Sequence, residues 1–503
     1  MWKPTHLLDV TIKGPKGLPG VKLVDGMFLD PLTEYVTLSH CWGHSKPIRL
    51  NKTTLPALRQ GVAQSTLPKT FADACHATEK LGLRYLWIDA LCIMHDAEPL
   101  VYAEISQMAK VYSEATVNLA ATSSRDDGTG LFYTRNVAAL QPAVVEVEGH
   151  GIADGVYKVL RSTTWANLVA ASPLSRRAWV FQERCLAKRT IHFSRTEVLF
   201  ECQQMCCSEV FPRGLPSNAA TVESDETFNK RTHHQKTGNW HALVKMYSRG
   251  KLSYSSDKLL ALSGLARQYM ARNRLRDSDY VAGMWKTQLP AALLWQIENG
   301  RSSSHGRYRA PSWSWTSLDG VVAYPDPQQS NQEYCVEILG IDVKTKTEDV
   351  LGQIESASLK IRGFMLKGVL LRTHDYWGRT SCVLQCPKSQ IEIESAWFDE
   401  RMVKLSPMNG TLTEQLEIYC LPIVDTVDRI EGLLLCATVV AKGAKGWYRR
   451  IGTFDISRYD QIAWAAFREN MKGDQTLTGF EERLEHENGY WFASDYTYTV
   501  NLV

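Results

Sequence analysis

Hydrophobic and polar residues alternate along the first third of the chain in a pattern that predicts strands and helices in turn. Residues 35–38 and 116–122 are typical of strands, and residues 85–88 form an apolar, aromatic run that favours a short buried strand. Between them, apolar residues recur at helical spacing over residues 65–81 and 101–115. This order favours an α/β fold with a parallel sheet, right-handed crossovers and flanking helices.

The pattern changes after the loop at residues 123–132. A hairpin is predicted over residues 144–157, a helix over 174–186, and a second hairpin from strands at 190–193 and 198–202. Further helical patterns lie at residues 240–248, 257–269 and 280–295, and further strands at 335–340, 358–371, 433–440 and 452–456. The polar residues 217–236 predict a mobile surface excursion.

These elements divide the chain into four predicted parts. Residues 1–33 contain Gly, Pro, Lys and Asp in mixed order and are interpreted as a loop segment. An α/β domain over residues 34–200 follows, then a mainly helical segment over 201–320 and a mixed, β-rich region over 321–503.

Composition excludes several classes of function. The 503 residues are 44% hydrophobic and carry a formal net charge of +3 without a long run of like charges, so we expect no nucleic-acid partner. The first residues lack the apolar core of a secretory signal, and the longest apolar runs reach about half of the ~20 residues of a membrane span. We therefore expect a cytoplasmic protein without a membrane partner.

The twelve cysteines are scattered, which is typical of reduced thiols. Only Cys202, Cys206 and Cys207 form a tight group. They would need a fourth ligand to hold zinc, and the alternative is that they are ordinary buried thiols. We predict no metal site.

Chemically active side chains cluster where the predicted strands end, which is where open α/β sheets place their ligands. The candidate catalytic residues are Cys41, Asp89, Cys92, His95 and Glu104. The candidate ligand-binding residues are Ser39, His40, Trp42, Gly43 and Trp87. Each has a structural alternative: the thiols as buried hydrophobes, the imidazoles as hydrogen-bonded surface groups, Asp89 as a loop cap and Glu104 as part of a solvated helix face.

Several common catalytic motifs are absent from the sequence. There is no GxGxxG after a strand, no GxxxxGK[ST], no HExxH and no GxSxG. Around Trp179, the charged and polar residues favour an internal ion-pair network or an interface before any catalytic role. They are Arg176, Arg177, Gln182, Glu183 and Arg184.

Four motifs resemble the fungal heterokaryon-incompatibility (HET) domain in order and spacing. They are YVTLSHCWG at residue 35, LPKTFADACHATEKLGLRYLWIDALCI at 67, ISQMAKVYSEA at 105 and RRAWVFQERCLAKRTIHFS at 176. The resemblance implies an intracellular protein linked to non-self recognition and programmed cell death. It also implies a fold similar to the TIR domain, some members of which cleave NAD with a glutamate on a helix beside the sheet. By position Glu104 corresponds to that glutamate, and Ser39, Trp42 and Asp89 line the strand ends.

The sequence departs from the HET pattern after Ile93. His95 stands where family members usually have Gln, and Pro99 and Leu100 occupy the region of a common Asp-Trp pair. This difference in the loop implies a ligand or an activity that differs from the family's typical one.

Three functions follow as hypotheses. The first is a HET-domain protein of heterokaryon incompatibility and cell-death signalling, with NAD as a candidate substrate rather than a cofactor. The second is a tailoring enzyme of secondary-metabolite biosynthesis that acts on a small apolar molecule. It would use Cys41, Cys92 or His95 in a pocket covered by the helical segments with Trp313 and Trp315. The third is a non-catalytic interaction protein, with protein partners or self-association.

Overall fold

The computed structural model describes the chain over the following residues: 2–14, 17–43, 48–96, 98–136, 140, 142–149, 151, 153–159, 164–215, 230, 239–298, 308–325, 333–374, 380–385, 390–393, 395–399, 414–426, 428–438, 446–471, 483–484 and 497–503. Apart from Lys230, the predicted excursion at 217–236 lies outside these residues. The chain divides into two compact units, one of residues 1–253 with 260–273 and one of residues 254–259 with 274–503.

A nine-stranded mixed sheet forms the centre of the first unit. Its strands are β1 His6–Asp9, β2 Gly20–Asp25, β3 Tyr35–Ser39, β4 Val62–Ala63, β5 Tyr85–Trp87, β6 Val117–Ala120, β9 Arg189–Phe193, β10 Val198–Cys202 and β11 Cys206–Ser208. Their order in the sheet is β11-β10-β9-β6-β3-β5-β1-β2-β4. The four central strands β5, β3, β6 and β9 are parallel, as the alternating pattern predicts. Both flanks are antiparallel, and on one of them short connections join β9 to β10 and β10 to β11.

The prediction of a loop over residues 1–33 is wrong. Strands β1 and β2 pair with each other, and β1 continues the sheet beyond β5 with Leu8 opposite Leu86. Their apolar side chains are almost fully buried, among them Leu7, Leu8 and Val21. Gly14, Gly17 and Pro19 lie in the connection between the two strands, and Gly20 begins β2.

Helices flank this sheet. They are α1 Leu55–Gln60, α2 Lys69–Lys80, α3 Asp89–Cys92, α4 Glu98–Glu114, α5 Ala178–Leu186, α6 Trp240–Ser248 and α7 Leu260–Asn273. Helix α4 buries Met108, Val111 and Tyr112 against the core, which confirms the apolar stripe seen in the sequence. A separate hairpin of β7 Ala143–Val147 and β8 Gly155–Val159 confirms the predicted one.

Helix α7 approaches α4 and α5 closely at Gly264, whose backbone N–H donates to Gln182 Oε1 at 2.6 Å. A Cβ there would lie 2.5 Å from the Cβ of Ala109, so we expect Gly264→Ala to lower the free energy of unfolding by about 1–3 kcal/mol. Chemical denaturation measures this loss. In the control variant Gly128→Ala, the nearest atom to the new Cβ is 3.6 Å away, so the stability should stay close to that of the wild type.

The second unit contains a large sheet whose main path follows the order β17-β18-β27-β25-β24-β23-β19-β20-β21. Three further strands pair with members of this path: β16 with β23, β22 with β25 and β26 with β27. Its strands are β16 Glu333–Tyr334, β17 Val336–Thr345, β18 Ile354–Gly363, β19 Leu366–His374, β20 Thr380–Gln385, β21 Gln390–Ile393, β22 Ser395–Phe398, β23 Glu414–Asp425, β24 Arg429–Ala437, β25 Trp447–Ser457, β26 Arg483–Leu484 and β27 Thr497–Leu502. Helix α8 spans Gln461–Met471. The predicted β-rich C-terminal region is confirmed.

The helix predicted over residues 280–295 is wrong. This stretch forms a tight hairpin of β12 Tyr280–Val281 and β13 Met284–Trp285, followed by short 3₁₀ turns. The two residues at the hairpin tip, Ala282 and Gly283, have φ values of 50° and 90°, which a right-handed helix cannot contain. A further short pair, β14 Gln296–Ile297 and β15 Val322–Ala323, follows it.

Trp313 and Trp315 are fully buried in this unit. Their burial corresponds to a packing role, which was the alternative to covering a ligand pocket.

Candidate functional site

The candidate site lies at the edge of the first sheet where the parallel strands β3 and β5 end. Thr37 pairs with Trp87, so the residues that follow the two strands emerge side by side. Strand β3 leads into His40 and Trp42, and β5 leads through one residue into Asp89, the first residue of α3. The structure therefore brings these three residues together at one edge of the sheet.

Asp89 holds this edge together through its carboxylate. Its Oδ2 accepts a hydrogen bond from the indole Nε1–H of Trp42 at 2.9 Å, and its Oδ1 accepts one from the backbone N–H of Ala90 at 2.7 Å. The Nδ1 atom of His40 lies 3.6 Å from Oδ1. The carboxylate therefore fixes the plane of the Trp42 ring, and it is 20% exposed, so a ligand can reach it.

Trp42 is half-buried, and a cation lies over its indole ring. The guanidinium of Arg49 lies 4.6 Å from the centre of the indole, and the imidazole of His95 meets it edge-on at 5.3 Å between ring centres. Arg49 is exposed and forms no ion pair within the described part of the chain. Gly43, at the start of the loop, lies with φ 67° directly against Asp126.

His40 is a buried support rather than a surface group. Its side chain is 2% exposed and meets Phe71 edge-on at 4.9 Å, while Arg177 donates a hydrogen bond to its backbone carbonyl. Burial lowers the pKa of the imidazole, although the nearby charge of Asp89 acts in the opposite direction. His40 is therefore neutral at physiological pH.

Both candidate thiols are buried in the structure. Cys41 is 7% exposed and clusters with Ala120, Leu174 and Val180, and Cys92 is completely buried in the main core. Burial raises the pKa of each thiol above its ordinary value, so neither forms a thiolate at neutral pH. The two cysteines therefore correspond to buried hydrophobic residues, the structural alternative given for them from the sequence. Trp87 is also a core residue, with its ring 5.7 Å from that of Tyr112.

Glu104 lies on α4, in line with the buried Met108, Val111 and Ala115 along one side of the helix. It is half-buried and makes no hydrogen bond or ion pair with a described residue. Burial raises the pKa of the Cys92 thiol, and the charges of Asp89 and Glu104 act in the same direction. Cys41 lies instead in the surroundings of Arg177 and Glu183.

The structure adds a buried polar cluster that the sequence did not reveal as a unit. The hydroxyl of Ser39 donates to Glu183 Oε2 at 2.5 Å, and Asn118 Nδ2 donates to the same hydroxyl at 3.1 Å. Tyr112 closes the cluster by donating to the Leu38 carbonyl at 3.4 Å. Glu183 is 5% exposed, and burial raises its pKa to about 7 even though Arg177 lowers it.

Because the folded state raises the Glu183 pKa above the unfolded value, the contribution of Glu183 to stability is fully present below pH about 4.5 and is lost as the pH rises to about 7. The loss is on the order of 3 kcal/mol. We expect Glu183→Gln, which cannot ionise, to remove this part of the pH dependence. Denaturation of both proteins between pH 4 and 8 measures it, and parallel curves would show that Glu183 does not titrate in this range.

A second buried cluster joins α5 to strands β9 and β10. Arg184 forms two hydrogen bonds to Glu201 at 2.6 and 2.9 Å, and His192 Nε2 lies 3.1 Å from the same carboxylate. The other ring nitrogen of His192 contacts the hydroxyl of Thr122 at 3.1 Å. Of the residues around Trp179 that were predicted to form an internal ion-pair network or an interface, Arg184 belongs to this cluster, and its partner Glu201 lies outside the predicted set.

The described residues contain no group of three or more His, Cys, Asp or Glu side chains that could hold a metal ion. Cys202, Cys206 and Cys207 lie on β10 and β11 as free thiols. In the same part of the chain, no helix is both long and apolar enough to cross a membrane.

Comparison with known protein families matches residues 35–183 to the family described as Heterokaryon incompatibility protein (HET). The matched segment begins at the first residue of β3 and ends at Glu183 in α5, so it contains both the strand-end site and the buried cluster. The match confirms the resemblance of the motifs to this family. No curated protein and no solved structure matches the chain.

Proposed function

We propose, from the match of residues 35–183 to the heterokaryon incompatibility family, that this protein acts in heterokaryon incompatibility and the associated cell death by cleaving NAD at its glycosidic bond. We base the proposal on the arrangement of Trp42, Arg49 and Asp89 at the sheet edge, together with the half-buried carboxylate of Glu104, which has no hydrogen-bond or ion-pair partner among the described residues. The parallel core strands are also compatible with a TIR-like arrangement, and we place the reaction in the cytoplasm.

Each of these groups suits one part of a dinucleotide. The Trp42 indole offers a flat face to a base or a nicotinamide ring, and its hydrogen bond to Asp89 fixes the ring before the ligand binds. The guanidinium of Arg49, which has no ion-pair partner among the described residues, suits a diphosphate. The sheet edge can therefore bind the ligand without a glycine-rich phosphate loop.

Cleavage of the bond needs a negative charge beside the ribose. As the bond between ribose C1′ and the pyridinium nitrogen breaks, its electron pair neutralises the ring nitrogen and positive charge develops on the ribose. The half-buried carboxylate of Glu104 can stabilise that charge more strongly than a carboxylate in bulk water. Water then adds to C1′, and the products are nicotinamide, ADP-ribose and a proton.

Calorimetric titration with NAD tests the binding step. We expect Arg49→Gln to weaken NAD binding about tenfold or more, because it removes charge-assisted hydrogen bonds to phosphate. Arg195→Gln is the matched control, since Arg195 is an exposed arginine on the loop after β9. Equal affinities of the two variants and the wild type would remove the phosphate role from Arg49, and no binding by any of them would overturn the proposed function.

A further inference from the structure

His95 lies in the loop after α3 and is held in place by both its backbone and its ring. Its backbone N–H donates to the Leu50 carbonyl at 3.0 Å, and its ring Nε2 lies 3.3 Å from the backbone carbonyl oxygen of Asp89. The ring also meets Trp42 edge-on at 5.3 Å between ring centres. These contacts fix the imidazole in the strand-end site, where it remains half-buried.

The contact with Asp89 determines which ring nitrogen carries the proton. A carbonyl oxygen can only accept a hydrogen bond, so Nε2 must donate. In a neutral imidazole the other nitrogen, Nδ1, then holds a lone pair. No described residue donates a hydrogen bond to Nδ1 of His95. The ring is therefore a fixed proton acceptor within the site.

The charged groups around His95 come from three segments. Burial lowers the pKa of the imidazole, and the positive charge of Arg49 acts in the same direction. The carboxylates of Asp89, on α3, and Asp96, in the same loop, raise it. The net effect is a lowered pKa, so the neutral form with its lone pair predominates at neutral pH.

We propose that His95 is the general base of this site, whose Nδ1 accepts the proton of the attacking water. The inference rests on the proposed cleavage of NAD. One O–H bond of the water breaks and its proton passes to Nδ1, while the water oxygen bonds to ribose C1′. The electron pair of the breaking C1′–N bond goes to the pyridinium ring, which leaves as neutral nicotinamide. The imidazolium then releases its proton to solvent, so the enzyme is restored.

His95→Gln is the sharpest variant for this inference. The amide N–H₂ of glutamine can still donate to the Asp89 carbonyl, but an amide has no basic nitrogen. We expect kcat for nicotinamide release to fall by about 10²-fold or more, with little change in KM. In the wild type, kcat/KM should decrease as the pH drops through the pKa of the free-enzyme imidazole, and this acid limb should disappear in the variant.

Nuclear magnetic resonance of protein with ¹⁵N-labelled histidine provides a readout that needs no activity. We expect the His95 signals, assigned as those lost in His95→Gln, to show the Nε2–H tautomer at pH 7 and a pKa equal to that of the kinetic limb. A tautomer protonated on Nδ1, or an unchanged rate and pH profile in His95→Gln, overturns the role of His95. If the wild type releases no nicotinamide while the Nε2–H tautomer is observed, the proposed function fails and the assignment of Nδ1 as a proton acceptor stands.

Discussion

Replacement of Glu201 by Ala should lower the free energy of unfolding of this protein by about 3–5 kcal/mol. Glu201 is completely buried and receives two hydrogen bonds from Arg184 and one contact from His192. Burial alone would raise the pKa of the Glu201 carboxyl, but Arg184 and His192 together hold it well below its usual range. Without this carboxylate, the charge of Arg184 stays buried without its partner.

Urea denaturation, followed by the fluorescence of the buried tryptophans, measures this effect. The control is Lys69→Ala, which breaks an ion pair of 2.6 Å with Asp73 on a side chain that is 51% exposed. An exposed pair of this kind contributes about 0–1 kcal/mol. If Glu201→Ala lowers the free energy of unfolding by no more than Lys69→Ala does, the buried cluster does not stabilise the packing of α5 against β9 and β10.

Replacement of Glu104 by Gln should reduce kcat for nicotinamide release by about 10²–10⁴-fold. Gln has nearly the same shape as Glu but carries no negative charge, so it cannot stabilise the cation that develops on the ribose. Glu104 forms no ion pair with a described residue that the substitution would break. We therefore expect the free energy of unfolding to change by less than about 1 kcal/mol.

Glu114→Gln is the matched control for this variant, because it removes an exposed carboxylate from the same helix. Its rate should equal that of the wild type. If Glu104→Gln and Glu114→Gln release nicotinamide equally fast, the carboxylate of Glu104 has no part in the reaction. The roles of Trp42, Arg49 and His95 would then need another source of negative charge.

The fold was predictable where the apolar residues of an element recur at a clear helical or strand spacing. The helix from Lys69 and the helix that ends at Glu114 show regular apolar stripes, and the central strands are short buried runs between them. Strands β1 and β2 were missed because each offers only two or three buried apolar residues beside a Gly- and Pro-rich connection. At residues 280–295 helical spacing was misleading, because the backbone at Ala282 and Gly283 forces a tight turn.

The candidate site was predictable in part for a topological reason. Trp42, Asp89 and His95 follow parallel strands that are neighbours in the sheet, so their meeting could be expected from the order of the elements. Glu183 could not be placed in this way, because it lies 144 residues from Ser39, its hydrogen-bond partner. Its one signal in the sequence is an acid on a short helix whose neighbours at helical spacing, Trp179 and Leu186, are apolar. Cys92 looked reactive only because its depth in the core is invisible in the sequence.

Cleavage of NAD by this chain is tested by incubating the purified protein with NAD at pH 7. Chromatography should separate nicotinamide and ADP-ribose and quantify both over time. We predict that the two products appear in equal amounts and at a rate that scales with protein concentration. If the amount of NAD that remains equals that in a protein-free sample, this chain does not cleave NAD.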